Sequence, residues 1–355
     1  MRIEAIRQTL YATGAKVCHV DRVLRAWTQA KPLDSGPRHQ PAEDFLPLGL
    51  RNALPGLSAE LDGLACIRSE HAGEDGARLL VELADGQLVE SVLLPRDGLC
   101  ISTQVGCAVG CTFCMTGRDG LLRQVDSGEM VAQVVLARRQ RRVSRVVFMG
   151  MGEPSHNIDN VLEAIDALGT YGGIGHKNLV FSTVGDYRVF ERLPRERVRP
   201  ALAVSLHTTR PDLRRELLPK AACIDPAELV ELAETYARTT GYPIQYQWTL
   251  IEGVNDSEAE MDGIVRLLTG KYALMNLIPY NTTAALDYRR PSVERVTELT
   301  RYLHARGIRT TVRNSAGQDV DGGCGQLRAR NLETTKRKHP EQPLRRLSQK
   351  PDSNS

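Results

Sequence analysis

Three cysteines lie close together in Cys107-Ala-Val-Gly-Cys111-Thr-Phe-Cys114, separated by three and then by two residues. Three thiolates can bind three irons of a four-iron, four-sulfur (4Fe-4S) cluster and leave the fourth iron open to a small molecule. A structural zinc site needs four closed ligands, and no second cysteine pair lies nearby in the sequence. The spacing therefore favours an open iron-sulfur cluster, with a zinc site or inert buried thiols as the alternatives.

The composition is that of an ordinary globular enzyme. The chain has 355 residues, of which 41% are hydrophobic and 25% charged, and its net charge is +3. No apolar run is long enough to cross a membrane and the first thirty residues hold no secretory signal, so we expect a cytoplasmic protein. Basic residues cluster at Arg138–Arg142 and at Lys336–Lys350. Each cluster is equally well interpreted as a phosphate contact or as a solvated helix end or disordered tail.

The first hundred residues have a different pattern from the rest. Residues 1–60 have apolar residues at helical spacing and predict a small helical accessory domain. Residues 61–98 contain a β-hairpin, with strands at Ala77–Leu83 and Gln87–Leu94. Glu90 lies among apolar residues on one face of the second strand, and a carboxylate in that position is costly unless it is paired or neutral. Glu90 is therefore either a functional residue or a harmless residue of a strand edge.

Strands and helices alternate over residues 99–330, which we predict to be the core, whereas residues 331–355 form a basic, polar tail expected to be disordered. The repeated βα units predict an α/β fold with a parallel sheet, a partial (β/α)6 barrel whose site lies at the carboxyl ends of the strands. The cysteine stretch follows the first of the predicted strands, which are Leu99–Gln104, Arg145–Met149, Asn178–Thr183, Ala201–Leu206, Pro243–Leu250 and Ala273–Ile278, with a later strand at Arg309–Arg313.

Polar residues and glycines end several of these strands. Gly150-Met-Gly152-Glu153-Pro follows the second strand, where glycines allow close backbone approach and Glu153 can accept hydrogen bonds from a ligand ammonium. Beside a three-cysteine loop, this motif is a candidate for binding the amino-acid end of S-adenosylmethionine (SAM). A further set suggests a cradle for the rest of that ligand, although each member alone is typical of a cap or turn. The set is Ser182, Ser205, Leu206, His207 and Asn281.

Two further cysteines are candidates for chemistry. Cys324 lies between glycines in a loop, and Cys100 begins the first barrel strand. Two thiols that converge on one site are either redox partners or a carrier and its resolving partner, and buried inert cysteines are the alternative. We expect Cys18, Cys66 and Cys223 to be small buried residues.

Together these motifs resemble one family, the radical SAM RNA-adenine methyltransferases, which methylate carbon 2 or, in one branch, carbon 8 of adenine in ribosomal and transfer RNA. The similarity runs from about residue 87 to residue 330, with the motifs in the same order. It is carried by Cys100-(x6)-Cys107-(x3)-Cys111-(x2)-Cys114, Phe148-Met-Gly-Met-Gly-Glu-Pro154, Ser205-Leu-His207, Asn276-Leu-Ile-Pro-Tyr-Asn281 and Cys324-Gly-Gln-Leu327.

The resemblance implies a role for each matching position. Cys107, Cys111 and Cys114 match the cluster ligands. The SAM-binding positions are matched by Gly152, Glu153, Ser182, Ser205, Leu206, His207 and Asn281. Cys324 matches the cysteine that becomes S-methylated, Cys100 its resolving partner and Glu90 the proton acceptor.

The same resemblance implies one 4Fe-4S cluster per chain, two SAM molecules per turnover, an rRNA or tRNA substrate and an electron donor such as flavodoxin or ferredoxin. Two features depart from the family: the N-terminal region is short, and Met115 stands where a small residue is expected. The alternatives are a radical SAM enzyme with a non-RNA substrate, which would not need both Cys100 and Cys324, and a non-catalytic metal-binding RNA module.

Overall fold

The computed structural model describes residues 1–36, 40–283, 285–314 and 316–329. The predicted tail, 331–355, lies outside these residues. Ten helices occur in the described ranges: α1 Ile3–Ala12, α2 Val17–Thr28, α3 Leu48–Asp62, α4 Ser127–Gln140, α5 Ile158–Thr170, α6 Tyr187–Arg192, α7 Pro211–Leu217, α8 Pro226–Thr240, α9 Glu258–Leu268 and α10 Val293–Ala305. The strands are β1 Ala65–Ala72, β2 Ala77–Leu83, β3 Leu88–Leu94, β4 Gly98–Ile101, β5 Gln104–Gly106, β6 Leu121–Gln124, β7 Arg145–Phe148, β8 Leu179–Thr183, β9 Ala201–Ser205, β10 Ile244–Leu250, β11 Ala273–Pro279 and β12 Thr310–Val312.

Ten of these strands form one sheet, in the order β1-β2-β3-β4-β7-β8-β9-β10-β11-β12. From β4 to β12 every neighbouring pair is parallel. Helices separate consecutive parallel strands, so six βα units are followed by a last strand. The predicted partial (β/α)6 architecture is confirmed, and its strands are buried because apolar side chains cover both faces.

The predicted hairpin is present as β2 and β3, but it is part of a larger structure. β3 pairs with β4, so the hairpin continues the barrel sheet, and β1 extends the sheet beyond β2. The sequence analysis missed β1, because its exposed positions carry charged residues such as Arg68 and Glu70, which obscure its alternating pattern.

The N-terminal helices pack on the barrel. α1 and α2 contact α5, and α2 also contacts α4. Ile6, Leu24 and Leu50 belong to the same hydrophobic core as the barrel strands.

The basic cluster at Arg138–Arg142 mostly makes contacts within the chain. Arg138 donates to the carbonyl oxygens of Thr28 (2.5 Å) and Val143 (3.0 Å), and Arg141 donates to that of Gly98 (2.6 Å). These guanidinium groups join the end of α4 to neighbouring elements, so burial within the fold accounts for them better than contact with phosphates.

The prediction that three cysteines outside the site are buried is wrong. Cys18, Cys66 and Cys223 are exposed, since each lies on the solvent side of its element or loop. No helix in the described residues is long and apolar enough to span a membrane.

Candidate functional site

The cysteine loop lies at the carboxyl end of β4, as predicted. The predicted strand Leu99–Gln104 is interrupted after Ile101, and β5 and β6 pair antiparallel on either side of the loop. The N–H of Cys107 donates to the carbonyl of Gly120 at 3.0 Å, which closes the loop. Gly106, with φ of 77°, lies so close that a β-carbon would stand 2.0 Å from the Gly120 oxygen, so only glycine fits.

The three cysteines are partly buried and pack against an apolar cluster. Its buried members are Val109, Phe113, Val184, Leu213, Leu217, Leu218, Ile251 and Tyr280. Burial raises the pKa of the Cys107 thiol to about 12, and the pKa of Cys111 is raised by burial and by the neighbouring Cys114, Cys107 and Glu153. At neutral pH Cys107 and Cys111 therefore stay protonated, and a cationic partner such as a metal would favour their thiolate forms.

A buried cation that the sequence analysis missed lies beside this loop. The Arg214 guanidinium, on α7, donates to the carbonyl oxygens of Ser205 (3.0 Å), Leu206 (2.6 Å) and Val184, at the ends of two barrel strands. Its Nε is buried and has no hydrogen-bond partner in the described part of the chain. Burial lowers the pKa of Arg214 to about 10, whereas the nearby Cys111 and Glu153 act to raise it. The signal in the sequence was an arginine between the apolar residues Leu213 and Leu217, but α7 itself was not predicted.

The Gly152-Glu153 turn follows β7, and Glu153 is locked in place. Its carboxylate accepts from the backbone N–H of Ser155 (3.1 Å) and of Val184 (3.0 Å), and its own N–H donates to Gln104 Oε1 (2.8 Å). Gly152 has φ of 104°, and a β-carbon there would lie 2.6 Å from the Gln104 side chain. Glu153 thus bridges the ends of β7 and β8, while the buried Gln104 is a second residue that sequence reasoning missed.

Ser182 lies near the end of β8, Ser205 at the end of β9, and Leu206 and His207 follow directly. His207 Nδ1 accepts from the backbone N–H of Thr249 at 2.9 Å, so Nε2 carries the proton. Burial lowers the pKa of His207 to about 3, and the ring meets Phe113 edge-on at 4.9 Å. His207 has φ of 61°, a left-handed conformation that is costly for a residue with a side chain and that typifies functional sites.

The loop that carries Cys324 rests directly on the cysteine loop. The N–H of Met115 donates to the Gly325 carbonyl at 2.8 Å, and Thr116 Oγ1 donates to the Leu327 carbonyl at 2.8 Å. Asn281 Nδ2, at the end of β11, donates to the Cys324 carbonyl at 2.9 Å. The Cys324 side chain is exposed. These contacts bring together the cluster cysteines, Asn281 and Cys324, which are far apart in the sequence.

Glu90 and Cys100 lie on the same face of neighbouring strands. Cys100 pairs with Val92, and Val92 pairs with Arg78, so these residues and Glu90 share a face. Burial raises the pKa of Cys100 to about 12, and the nearby Cys324 acts in the same direction. Cys324 and Cys100 are therefore close enough for the charge of one to affect the ionisation of the other.

The Glu90 side chain is fully buried and is held from two sides. One carboxylate oxygen pairs with the Arg78 guanidinium, and the other accepts from the Arg328 N–H at 2.8 Å. Burial raises the pKa of Glu90, while Arg78 and the backbone N–H groups of the 328–329 segment act to lower it. Arg78 was not identified from the sequence, where nothing distinguishes it from a surface arginine of a hairpin.

Comparisons with known proteins show the family of this chain. Residues 101–262 match the radical SAM superfamily. A probable RNA methyltransferase of Dechloromonas aromatica is 80% identical over 94% of this chain and 94% of its own length, and one of Leptothrix cholodnii is 68% identical over 98% and 100%. The crystal structure of a radical SAM methyltransferase from Sphaerobacter thermophilus is similar with a TM-score of 0.79 and 36% identity, over 93% of this chain and 98% of that one.

The chain therefore belongs to the family of radical SAM RNA methyltransferases. Enzymes of the radical SAM superfamily use a 4Fe-4S cluster and SAM. In the described ranges no three His, Cys, Asp or Glu side chains are arranged to hold a single metal ion. A cubane cluster requires no such convergence, because each thiolate binds a different iron.

Proposed function

We propose that this enzyme methylates a ring carbon of adenine, carbon 2, in rRNA or tRNA, using two SAM molecules per turnover and an S-methylcysteine at Cys324. The observation that carries the proposal is the seating of the Cys324 loop on the cysteine loop. The Gly325 carbonyl accepts a hydrogen bond from the N–H of Met115, the residue after Cys114, and the Cys324 carbonyl accepts one from Asn281 Nδ2. A methyl group on Cys324 would thus be near both the cluster and the SAM-binding strand ends.

The residues at the site fit a thiolate-bound cluster. Cys107, Cys111 and Cys114 are partly buried against an apolar cluster, and burial raises the pKa of the Cys107 and Cys111 thiols, so a cationic partner would favour their ionised forms. Arg214 brings a buried positive charge beside them, and its Nε has no partner among the described residues. A buried cation is costly unless an anionic group balances it. A cluster held by three thiolates, with the carboxylate of SAM nearby, would supply that balance.

The strand-end residues would hold SAM. Glu153 is positioned to accept from the ligand ammonium, and Ser182, Ser205 and Asn281 offer polar groups for its carboxylate and ribose. Leu206 would act through its backbone and through packing, since its side chain is buried. The neutral His207 offers its Nε2 proton as a donor. When bound, the cluster and SAM supply methyl groups, electron transfer and the radical that removes hydrogen from a methyl group.

Three side chains of this chain would complete the reaction. Cys324 Sγ carries the methyl group whose carbon becomes bonded to adenine carbon 2. Glu90 accepts the proton that leaves this ring carbon, and the one electron left over from the addition would be returned to the bound cluster. Cys100, which burial keeps protonated at neutral pH, then gives up its thiol proton as its sulfur attacks Cys324 Sγ. The bond between Cys324 Sγ and carbon breaks, its electron pair goes to that carbon, and the carbon takes up a proton to become the methyl group. A disulfide between Cys100 and Cys324 remains, and must be reduced before the next turnover.

The adenine has to be unstacked to reach a site of this kind, so we infer an unpaired or loop nucleotide as the target. We also propose an electron donor of the flavodoxin or ferredoxin class and a cytoplasmic location. Residues 1–60, 61–98, 99–330 and 331–355 remain our proposed division of the sequence into accessory domain, hairpin extension, radical SAM core and basic tail.

The proposal is tested by mass spectrometry of nucleosides from total RNA of cells with and without this protein. We expect one methyladenosine isomer, 2-methyladenosine, to disappear in its absence. Complementation with Cys324→Ala should fail to restore it, whereas Cys18→Ala, which changes an exposed thiol far from the site in the sequence, should restore it fully. An unchanged set of methyladenosines would instead favour a radical SAM enzyme that acts on a non-RNA substrate.

A further inference from the structure

The Arg78–Glu90 pair is the most deeply buried ion pair in the described part of the chain. The Arg78 and Glu90 side chains are 2% and 0% exposed, whereas every other ion pair there has at least one partner that is more than 20% exposed. Burying two charges costs several kcal/mol per ion, so such pairs are poor stabilisers in comparison with apolar residues. The position of this pair therefore calls for a reason other than stability.

The pair connects the sheet to the segment that carries Cys324. Arg78 on β2 and Glu90 on β3 are diagonal neighbours on one face, since Arg78 pairs with Val92 and Glu90 with Leu80. Arg78 occupies one Glu90 oxygen, which leaves the other for the Arg328 N–H. Arg328 follows Cys324 by four residues. Gly322, two residues before Cys324, packs so closely on Arg78 that a β-carbon at this glycine would lie 3.3 Å from the Arg78 β-carbon.

We propose that Arg78 is a positioning residue that keeps the Glu90 carboxylate ionised and oriented toward the Cys324 segment. The inference rests on the proposed role of Glu90 as proton acceptor, which requires an ionised carboxylate. Burial alone favours the protonated carboxyl, and Arg78 is the formal charge that opposes it. Arg328 carries the other charged side chain near this end of the segment. Its guanidinium pairs with Asp119 at 2.9 Å, so Arg328 contacts Glu90 only through its backbone N–H.

Loss of the Arg78 charge has a defined direction. The pKa of Glu90 would rise further, so more of the carboxyl would be protonated at neutral pH and fewer molecules could accept the ring proton. The acidic limb of the pH–rate profile would move to higher pH, and raising the pH would recover the rate. Methylation of Cys324 needs no proton acceptor at Glu90, so this earlier step should be unaffected.

The experiment uses the cluster-loaded enzyme with an RNA substrate and compares Arg78→Gln, Arg78→Lys and Arg68→Ala. Arg68 makes the matched control, because it pairs with Glu82 on the same sheet extension at 2.7 Å but its side chain is 57% exposed. At neutral pH we expect Arg78→Gln to slow methyl transfer to RNA by about tenfold or more, a partial loss in comparison with the roughly 10²- to 10⁴-fold that a general base typically contributes. Arg78→Lys should recover part of the rate, and Arg68→Ala should match the unaltered enzyme. S-methylation of Cys324, followed by intact mass, should be equal in all four proteins.

A double-mutant cycle and a direct titration separate this role from a purely structural one. In a Glu90→Gln background, adding Arg78→Gln should cause no further slowing, because the residue acts through Glu90. Infrared titration of the apo protein should place the Glu90 carboxyl pKa higher in Arg78→Gln than in the unaltered chain. An unshifted Glu90 titration, or additive slowing in the cycle, would overturn the inference. Failure of the unaltered enzyme to methylate RNA would instead count against the proposed function. The infrared titration of the apo protein would still show whether Arg78 lowers the pKa of Glu90.

Discussion

Substitution of Gly325 by alanine tests whether the seating of the Cys324 loop matters for methyl transfer. Gly325 has φ of 84°, in the left-handed region, and an added β-carbon would stand 3.3 Å from the Phe113 carbonyl oxygen. The left-handed conformation costs a residue with a β-carbon about 1–2 kcal/mol. The contact with the Phe113 carbonyl can relax only if the loop moves. The Cys324 loop can therefore avoid this strain by separating from the cysteine loop, and we call the two states seated and unseated.

The expected effect follows from that cost. A change of about 1–2 kcal/mol shifts the ratio of seated to unseated molecules by roughly 5- to 30-fold, so from an equal starting mixture the seated population falls by about 3- to 15-fold. We expect the single-turnover transfer of the methyl group from Cys324 to RNA to slow by a similar factor in Gly325→Ala. The measurement is quantitative mass spectrometry of methylated RNA against time at saturating SAM.

Gly241→Ala provides the matched control. Gly241 ends α8 with φ of 72°, and a β-carbon there would meet nothing within 4 Å. The control therefore carries the same kind of backbone strain at a site away from the reaction. Both variants should lose comparable stability in urea, but only Gly325→Ala should lose methyl transfer. Equal transfer rates in the two variants would refute the argument that seating positions Cys324.

Three further changes test other parts of the site. Arg214→Met should lower the iron content of the reconstituted protein and weaken SAM binding in calorimetry, since it removes a buried cation and leaves three carbonyl oxygens unsatisfied at about 1–3 kcal/mol each; full iron loading in this variant would contradict the charge-balance argument. Gly152→Ala should weaken SAM binding at least tenfold, because a β-carbon would collide with Gln104 at 2.6 Å and displace Glu153, whereas Gly253→Ala, in open space, should bind normally. The lowered pKa of His207 means that the unfolded chain binds a proton there between about pH 3 and 6.5 and the folded chain does not; stability of the apo protein should therefore fall as pH decreases through that window, and His207→Gln should make the decrease in urea stability shallower.

Much of the barrel could be predicted from the chain itself. Apolar spacing along the chain predicts helices at Ile158–Leu168, Pro226–Thr239, Glu258–Leu268 and Ser292–Arg306. Helices α5, α8, α9 and α10 agree with these bounds to within two residues, because each has an apolar stripe at helical spacing and three begin at a Ser or Asp cap. Short elements such as α6 and α7 were missed, since six or seven residues show too little periodicity. β5 and β6 were missed for a related reason: they are held by their mutual pairing around the cysteine loop and not by burial of an alternating face.

The residues of the candidate site also fall into those that the sequence pointed to and those that it did not. The cysteine spacing, the glycine-rich turn before Glu153 and the polar strand ends could be recognised because local chemistry requires those residue types at those intervals. Arg78, Gln104 and Arg214 were missed, because each acts through partners on other elements that only the folded chain brings together. Arg214 meets carbonyl oxygens 8 to 30 residues away, and Arg328, which completes the binding of Glu90, follows it by 238 residues.

The amino-acid sequence alone therefore determined the family's kind of chemistry, that of a radical SAM enzyme, and predicted a three-thiolate iron-sulfur site at the end of a parallel strand together with the residues proposed to form it. Only the tertiary structure decided how these residues are arranged: Cys324 over the cluster loop, Glu90 beneath the same segment, and Arg214 against the thiols. The physical reason is that spacing along the chain controls local geometry. Burial and the pairing of charges depend on which distant segments of the chain pack against one another. Spacing along the sequence does not show this, and only the folded structure does.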